Sequence, residues 1–77
     1  MWTADKLYDL KEKHNNGFGC ELGNGYACFV TKLISNDWMI SKLNAKDKDV
    51  FRKTISSDTG ETEFKNVLNE MLATKEN

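Results

Sequence analysis

The sequence predicts an α+β domain, a small antiparallel sheet packed by helices in the order α-β-β-(β)-α-α. Three observations carry this reading. Gly23-Asn24-Gly25 stands between two β-prone runs and marks a hairpin over 18–34. Phe64, Val67, Leu68, Met71 and Leu72 recur at i, i+3, i+4, i+7 and i+8, which is one face of a helix over 61–75. Ala4, Leu7, Leu10 and His14 repeat every three or four residues over 1–14. The chain has 77 residues, the size of a single domain spanning 1–77. A chain this short buries only about 60% of its unfolded surface, which leaves little room for an enclosed active site beside a core.

The elements follow in order. Thr3 suits the N-cap of the first helix, and Asp5 in its first turn answers the helix dipole. Trp2 before the cap and Leu7 within have the spacing of a hydrophobic staple. Asn15-Asn16-Gly17 stops this helix, with Gly17 the left-handed residue. In the hairpin, a three-residue turn ending on Gly25 sets Leu22 against Tyr26, Cys20 against Cys28 and Phe18 against Val30. A two-residue Asn24-Gly25 turn would slip the pairing by one and mix the two faces. The first register gathers the apolar residues and is preferred.

Residues 38–43 read either as a third strand or as the start of a helix capped at Asn36 or Asp37, with the strand favoured. Residues 45–56 read as a helix capped by Asn44. Val50, Phe51 and Ile55 form its stripe, and Lys46, Asp47, Lys48, Asp49, Arg52 and Lys53 its wet side. Asp58 and Glu61 have capping-box spacing before the last helix. Residues 74–77 are expected to fray.

Composition excludes several functions. Eleven basic and twelve acidic residues leave a net charge of −1, which argues against bulk electrostatic binding of a polyanion. No stretch has the ~18 apolar residues of a membrane span. Charges interrupt every apolar residue of the first helix, so no secretory signal is read and a cytoplasmic location is expected. Ten of the eleven basic residues are Lys and eight residues are Asn, a bias of AT-rich coding sequences such as those of low-GC bacteria and their phages.

Few residues offer chemistry. Cys20 and Cys28 face each other and form a geometric redox pair, but two buried thiols acting as small hydrophobes is the favoured reading. Two cysteines with a single histidine, His14, do not make a zinc site, and no metal or cofactor is expected. His14 reads as a helix-end residue rather than a general base. Gly17, Gly19, Gly23 and Gly25 lack the spacing of a phosphate-binding loop. Gly19, inside a strand, marks a bulge or the close approach of another backbone. No catalytic residue is assigned.

The remaining features concern surface. Three helices cannot cover both faces of the ribbon, so Phe29, Leu33 and Ala27 are expected to stay partly wet. Trp38 and Tyr8 have no evident core slot. Phe29, Leu33, Trp38, Tyr8 and Gly19 are therefore the expected partner-binding residues, and the first strand is a candidate open edge. The expected function is a non-enzymatic inhibitor or modulator that occludes a site on a larger intracellular protein, of the phage-type anti-host or anti-defence kind. Homodimerisation through the same face competes with it. The alternative is a nucleic-acid module using Lys42, Lys46, Lys48, Arg52 and Lys53, but interleaved acids make it the weaker reading.

Overall fold

The computed structural model describes residues 1–75. The expected fraying at 76 and 77 lies outside the described residues. Six elements run in the order α1 (Ala4–Lys13), β1 (Gly17–Gly23), β2 (Tyr26–Lys32), β3 (Trp38–Leu43), β4 (Asp49–Ile55) and α2 (Glu61–Ala73). The strands form one antiparallel meander, β1-β2-β3-β4.

The α+β class and the third strand agree with the sequence reading. The helix expected over 45–56 does not, because that segment is strand β4. Asn44 is buried, and its side chain accepts hydrogen bonds from the backbone N–H groups of Lys46 (2.8 Å) and Lys48 (3.1 Å). This is the acceptor chemistry of an N-cap, used here to close a turn. Asp47 then takes a left-handed φ of 60°, which no helix tolerates. The chain returns as a hairpin, with Asn44 donating to the Lys48 carbonyl at 2.9 Å. The β2–β3 turn repeats this form, with left-handed Asn36 and a Leu33 N–H to Asp37 carbonyl bond of 2.9 Å.

The first hairpin combines both turns considered from sequence. Asn24 and Gly25 are both left-handed, as a two-residue type I′ turn requires. That turn alone would slip the register. An irregularity between Glu21 and Gly23 absorbs one residue on β1, so Gly23 faces Tyr26 while Cys20 still faces Cys28 and Phe18 still faces Val30. Leu22 therefore does not face Tyr26.

Both helices lie on one side of the sheet. The core gathers Leu7 from α1, Val30, Trp38 and Ile40 from the sheet, and Phe64, Leu68 and Met71 from α2. Thr3 caps α1, its hydroxyl accepting from the Lys6 N–H. The capping box expected at Asp58 is absent: α2 is capped by Gly60, without a side-chain acceptor. Lys65 ties the two helices, contacting Asp5 at 3.1 Å and Glu61 at 2.7 Å.

Two glycines should respond oppositely to substitution. Gly17 has φ of +112°, and a Cβ there would stand 2.6 Å from the Val30 carbonyl oxygen. Gly17→Ala should cost about 2–3 kcal/mol in urea unfolding. Gly60 has open space and an ordinary φ, so Gly60→Ser should stabilise by a few tenths of a kcal/mol by adding a cap.

Candidate functional site

Strand alternation divides the sheet into a covered and an open face. Phe18 and Cys20 of β1, Cys28 and Val30 of β2, Trp38, Ile40 and Lys42 of β3, and Phe51 and Ile55 of β4 share the helix side. The open face is a grid of ladder rows. Its central row runs Gly19, Phe29, Ser41, Arg52. One neighbouring row holds Thr31, Met39 and Thr54, and the other Glu21, Ala27 and Leu43. Phe29 is 40% exposed in the central row; Met39, Leu43 and Ala27 beside it are half-buried and Ser41 is buried.

Gly19 explains how Phe29 is held. A Cβ at Gly19 would lie 2.8 Å from the Phe29 ring, so the ring leans across the glycine. The close approach expected of another backbone at this strand glycine is made instead by a side chain of the neighbouring strand. Leu33 is half-buried at the start of the β2–β3 turn.

The other expected anchors are elsewhere. Trp38, expected to lack a core slot, is 6% exposed and packs edge-to-face on Phe64 at 6.1 Å. Tyr8 meets the same ring at 5.6 Å. These three aromatics surround the Lys11 ammonium, whose Nζ lies 4.9–5.3 Å from their centroids. Tyr8 and Trp38 therefore form a cation–π cluster within the fold.

The five cations of the 42–53 segment do not make one surface. Lys42 is 4% exposed. Its ammonium donates to the carbonyls of Met71 (3.2 Å), Leu72 (3.2 Å) and Thr74 (2.6 Å), and lies 4.6 Å from the Tyr26 ring centroid. The last turn of α2 has no basic residue of its own, so β3 supplies the charge that answers its dipole. Desolvation lowers the Lys42 pKa. Lys46 and Lys48 sit in the β3–β4 turn, Arg52 is on the open face paired with Asp49, and Lys53 is on the helix side, 3.9 Å from Glu70.

β1 and β4 are the edges of the sheet, as expected for β1. Two bonds meet the ends of β1: the Trp2 indole N–H donates to the Glu21 carbonyl at 2.7 Å, and the Gly17 N–H donates to the His14 carbonyl at 3.0 Å. Trp2 also packs against the core cluster that holds Leu7. The β4 edge carries Asp49, Arg52 and Lys53, charges that oppose strand addition. A groove of about 720 Å³ opens between Trp2, Tyr26 and Leu72, with Lys42 at its wall, but that ammonium is already engaged by α2.

Cys20 and Cys28 are opposite each other as expected, as free thiols, with Cys28 buried and Cys20 only half-buried. Burial raises both, Cys28 to about 12, so neither is a thiolate near neutral pH. Among the described residues no group of His, Cys, Asp or Glu could hold a metal ion, and no helix is long and apolar enough to cross a membrane.

Met39, Ser41, Leu43 and the place of Arg52 on this face escaped the sequence reading. The available signal was the run Trp38-Met39-Ile40. Three consecutive apolar residues in a strand furnish both faces, including one that no helix covers. No family model matches the chain, nor does any curated protein or solved structure compared with it.

Two measurements check this arrangement. Lys42→Met should destabilise the fold by about 1–2 kcal/mol, because α2 loses its charged cap, with the loss read in urea unfolding. Ellman's reagent near pH 8 should label the native thiols slowly and both promptly after unfolding. Two rapid native equivalents would contradict the buried-thiol reading.

Proposed function

We propose that this protein is a non-enzymatic binding module that presses the open face of its sheet onto a larger protein and modulates it by occlusion. The supporting observation is Phe29, exposed in the central row of the sheet face that neither helix covers. Aromatic residues inside a ring of smaller contacts are common interface anchors. Four strands about 4.8 Å apart and six residues long at about 3.3 Å each present a face of about 400 Å² in projection. A standard interface needs about 800 Å² per partner. Side-chain relief and the rim around Leu33 must contribute, so nearly the whole face is committed to one partner. An anti-host or anti-defence protein of the phage type acts by such occlusion, and the proposal takes this as its setting. The nucleic-acid reading loses support because the cations of 42–53 point in different directions.

Phe29→Ser tests the proposal. The variant should keep the circular dichroism of the fold while its affinity for the partner retained by the wild-type chain from native-host lysate falls at least 30-fold, about 2 kcal/mol. The retained partner should also lose activity when the wild-type chain is added. Unchanged capture by Phe29→Ser would remove the open face from the account.

A further inference from the structure

We infer that the groove between the N-terminal segment, the first hairpin and the end of α2 binds a small aromatic carboxylate. This site lies apart from the row through Phe29 and does not depend on the binding reading of the open face. The groove measures about 720 Å³, within the range of small-ligand sites. Trp2, Leu22, Tyr26 and Leu72 give it apolar and partly aromatic walls. The indole of Trp2 is anchored by its bond to the Glu21 carbonyl, and the ring of Tyr26 by the Lys42 ammonium 4.6 Å from its centroid. Both rings are thus set before a ligand arrives, which spares the cost of ordering them.

Charge selects the anion. Lys42 and Lys75 both line the groove, and among the described residues neither pairs with a carboxylate. Desolvation lowers the Lys42 pKa, and the charge of Lys75 lowers it further. The carbonyl end of α2 offsets about half a unit charge. This side of the groove therefore stays positive in a chain whose net charge is −1. Glu21 is the one acid of the lining, and strand alternation gives its side chain to the open face.

The two lysines differ in role. Lys42 commits its N–H donors to the carbonyls of Met71, Leu72 and Thr74 and contributes its field alone. Lys75 is exposed and makes no hydrogen bond among the described residues, so its ammonium is the group that meets the ligand. One available ammonium suits a monoanion such as a carboxylate, whereas a phosphate dianion calls for more donors. A planar ring between Trp2 and Tyr26, with its carboxylate toward Lys75, uses both the walls and the charge.

Indole-3-acetate, indole-3-acetamide and tryptamine share one ring and differ in charge, and titrating the isotope-labelled chain with each by NMR tests this inference. Indole-3-acetate, with about 13 non-hydrogen atoms, should bind with a dissociation constant of about 1 mM. Shifts should centre on the Trp2 indole N–H and the amides of Leu22, Tyr26 and Leu72. The neutral amide should bind about threefold more weakly and tryptamine about tenfold. Lys75→Glu, at an exposed residue outside every helix and strand, should abolish the preference for the acetate with circular dichroism unchanged. Four results would each overturn the site: shifts centred on Phe29 and Met39, equal affinity for the three probes, a Lys75→Glu variant that keeps their order, or no shift at about 10 mM indole-3-acetate. None of them bears on the open-face proposal, which is read on the partner.

Discussion

Coverage is the constraint from which the structure follows. Four strands make a sheet about 19 Å wide, and two helices each about 10 Å across cover one face of that width. Among the described residues no third element remains for the other face. The apolar stripes of α1 and α2 close over Val30, Ile40 and Trp38, while the rows through Phe29, Met39 and Leu43 stay toward solvent. An enclosed site would need more chain than this.

The fold keeps its helix layer in place with charges set among apolar groups. Lys42 reaches from β3 to the carbonyls ending α2, Lys11 sits among Tyr8, Trp38 and Phe64, and Lys65 joins α1 to α2. Each lysine places its ammonium where carbonyls, rings or carboxylates meet it. Cations that suggest a nucleic-acid surface in a linear reading are thereby partly used in packing. Among the described residues the charges of the open face, Glu21, Asp49 and Arg52, lie on its outer strands, which leaves its centre to shape and apolar contact.

Local chemistry was legible where one pattern had one meaning. Thr3, the Leu7–Leu10 spacing and the Phe64–Met71 stripe identify two helices because no competing structure uses those periods. Cys20 against Cys28 was legible because burial of one face sets the register, even though a bulge and a tighter turn reach it by another route. The fourth strand was not legible. An asparagine accepting two backbone N–H groups serves a helix start and a hairpin equally, and the charges that follow Asn44 suit both. The six ladder positions that β4 forms with β3 decide between them, and they are not local. Of the residues expected to face a partner, Phe29 and Gly19 share the open face, whereas Trp38 and Tyr8 pack on Phe64, a contact that depends on how α2 docks and that no local pattern announces.

The two methionines of the sheet and helix layers offer an internal comparison for the central claim, that one face of the sheet is bare in the monomer. Met39 lies on that face and Met71 is fully buried beneath the other. Hydroxyl-radical footprinting at micromolar concentration, read by mass spectrometry, should modify Phe29 and Met39 quickly and leave Phe64 and Met71 protected. Equal protection of Met39 and Met71, with Phe29 unmodified, would show that something within the chain covers this face and would contradict the account.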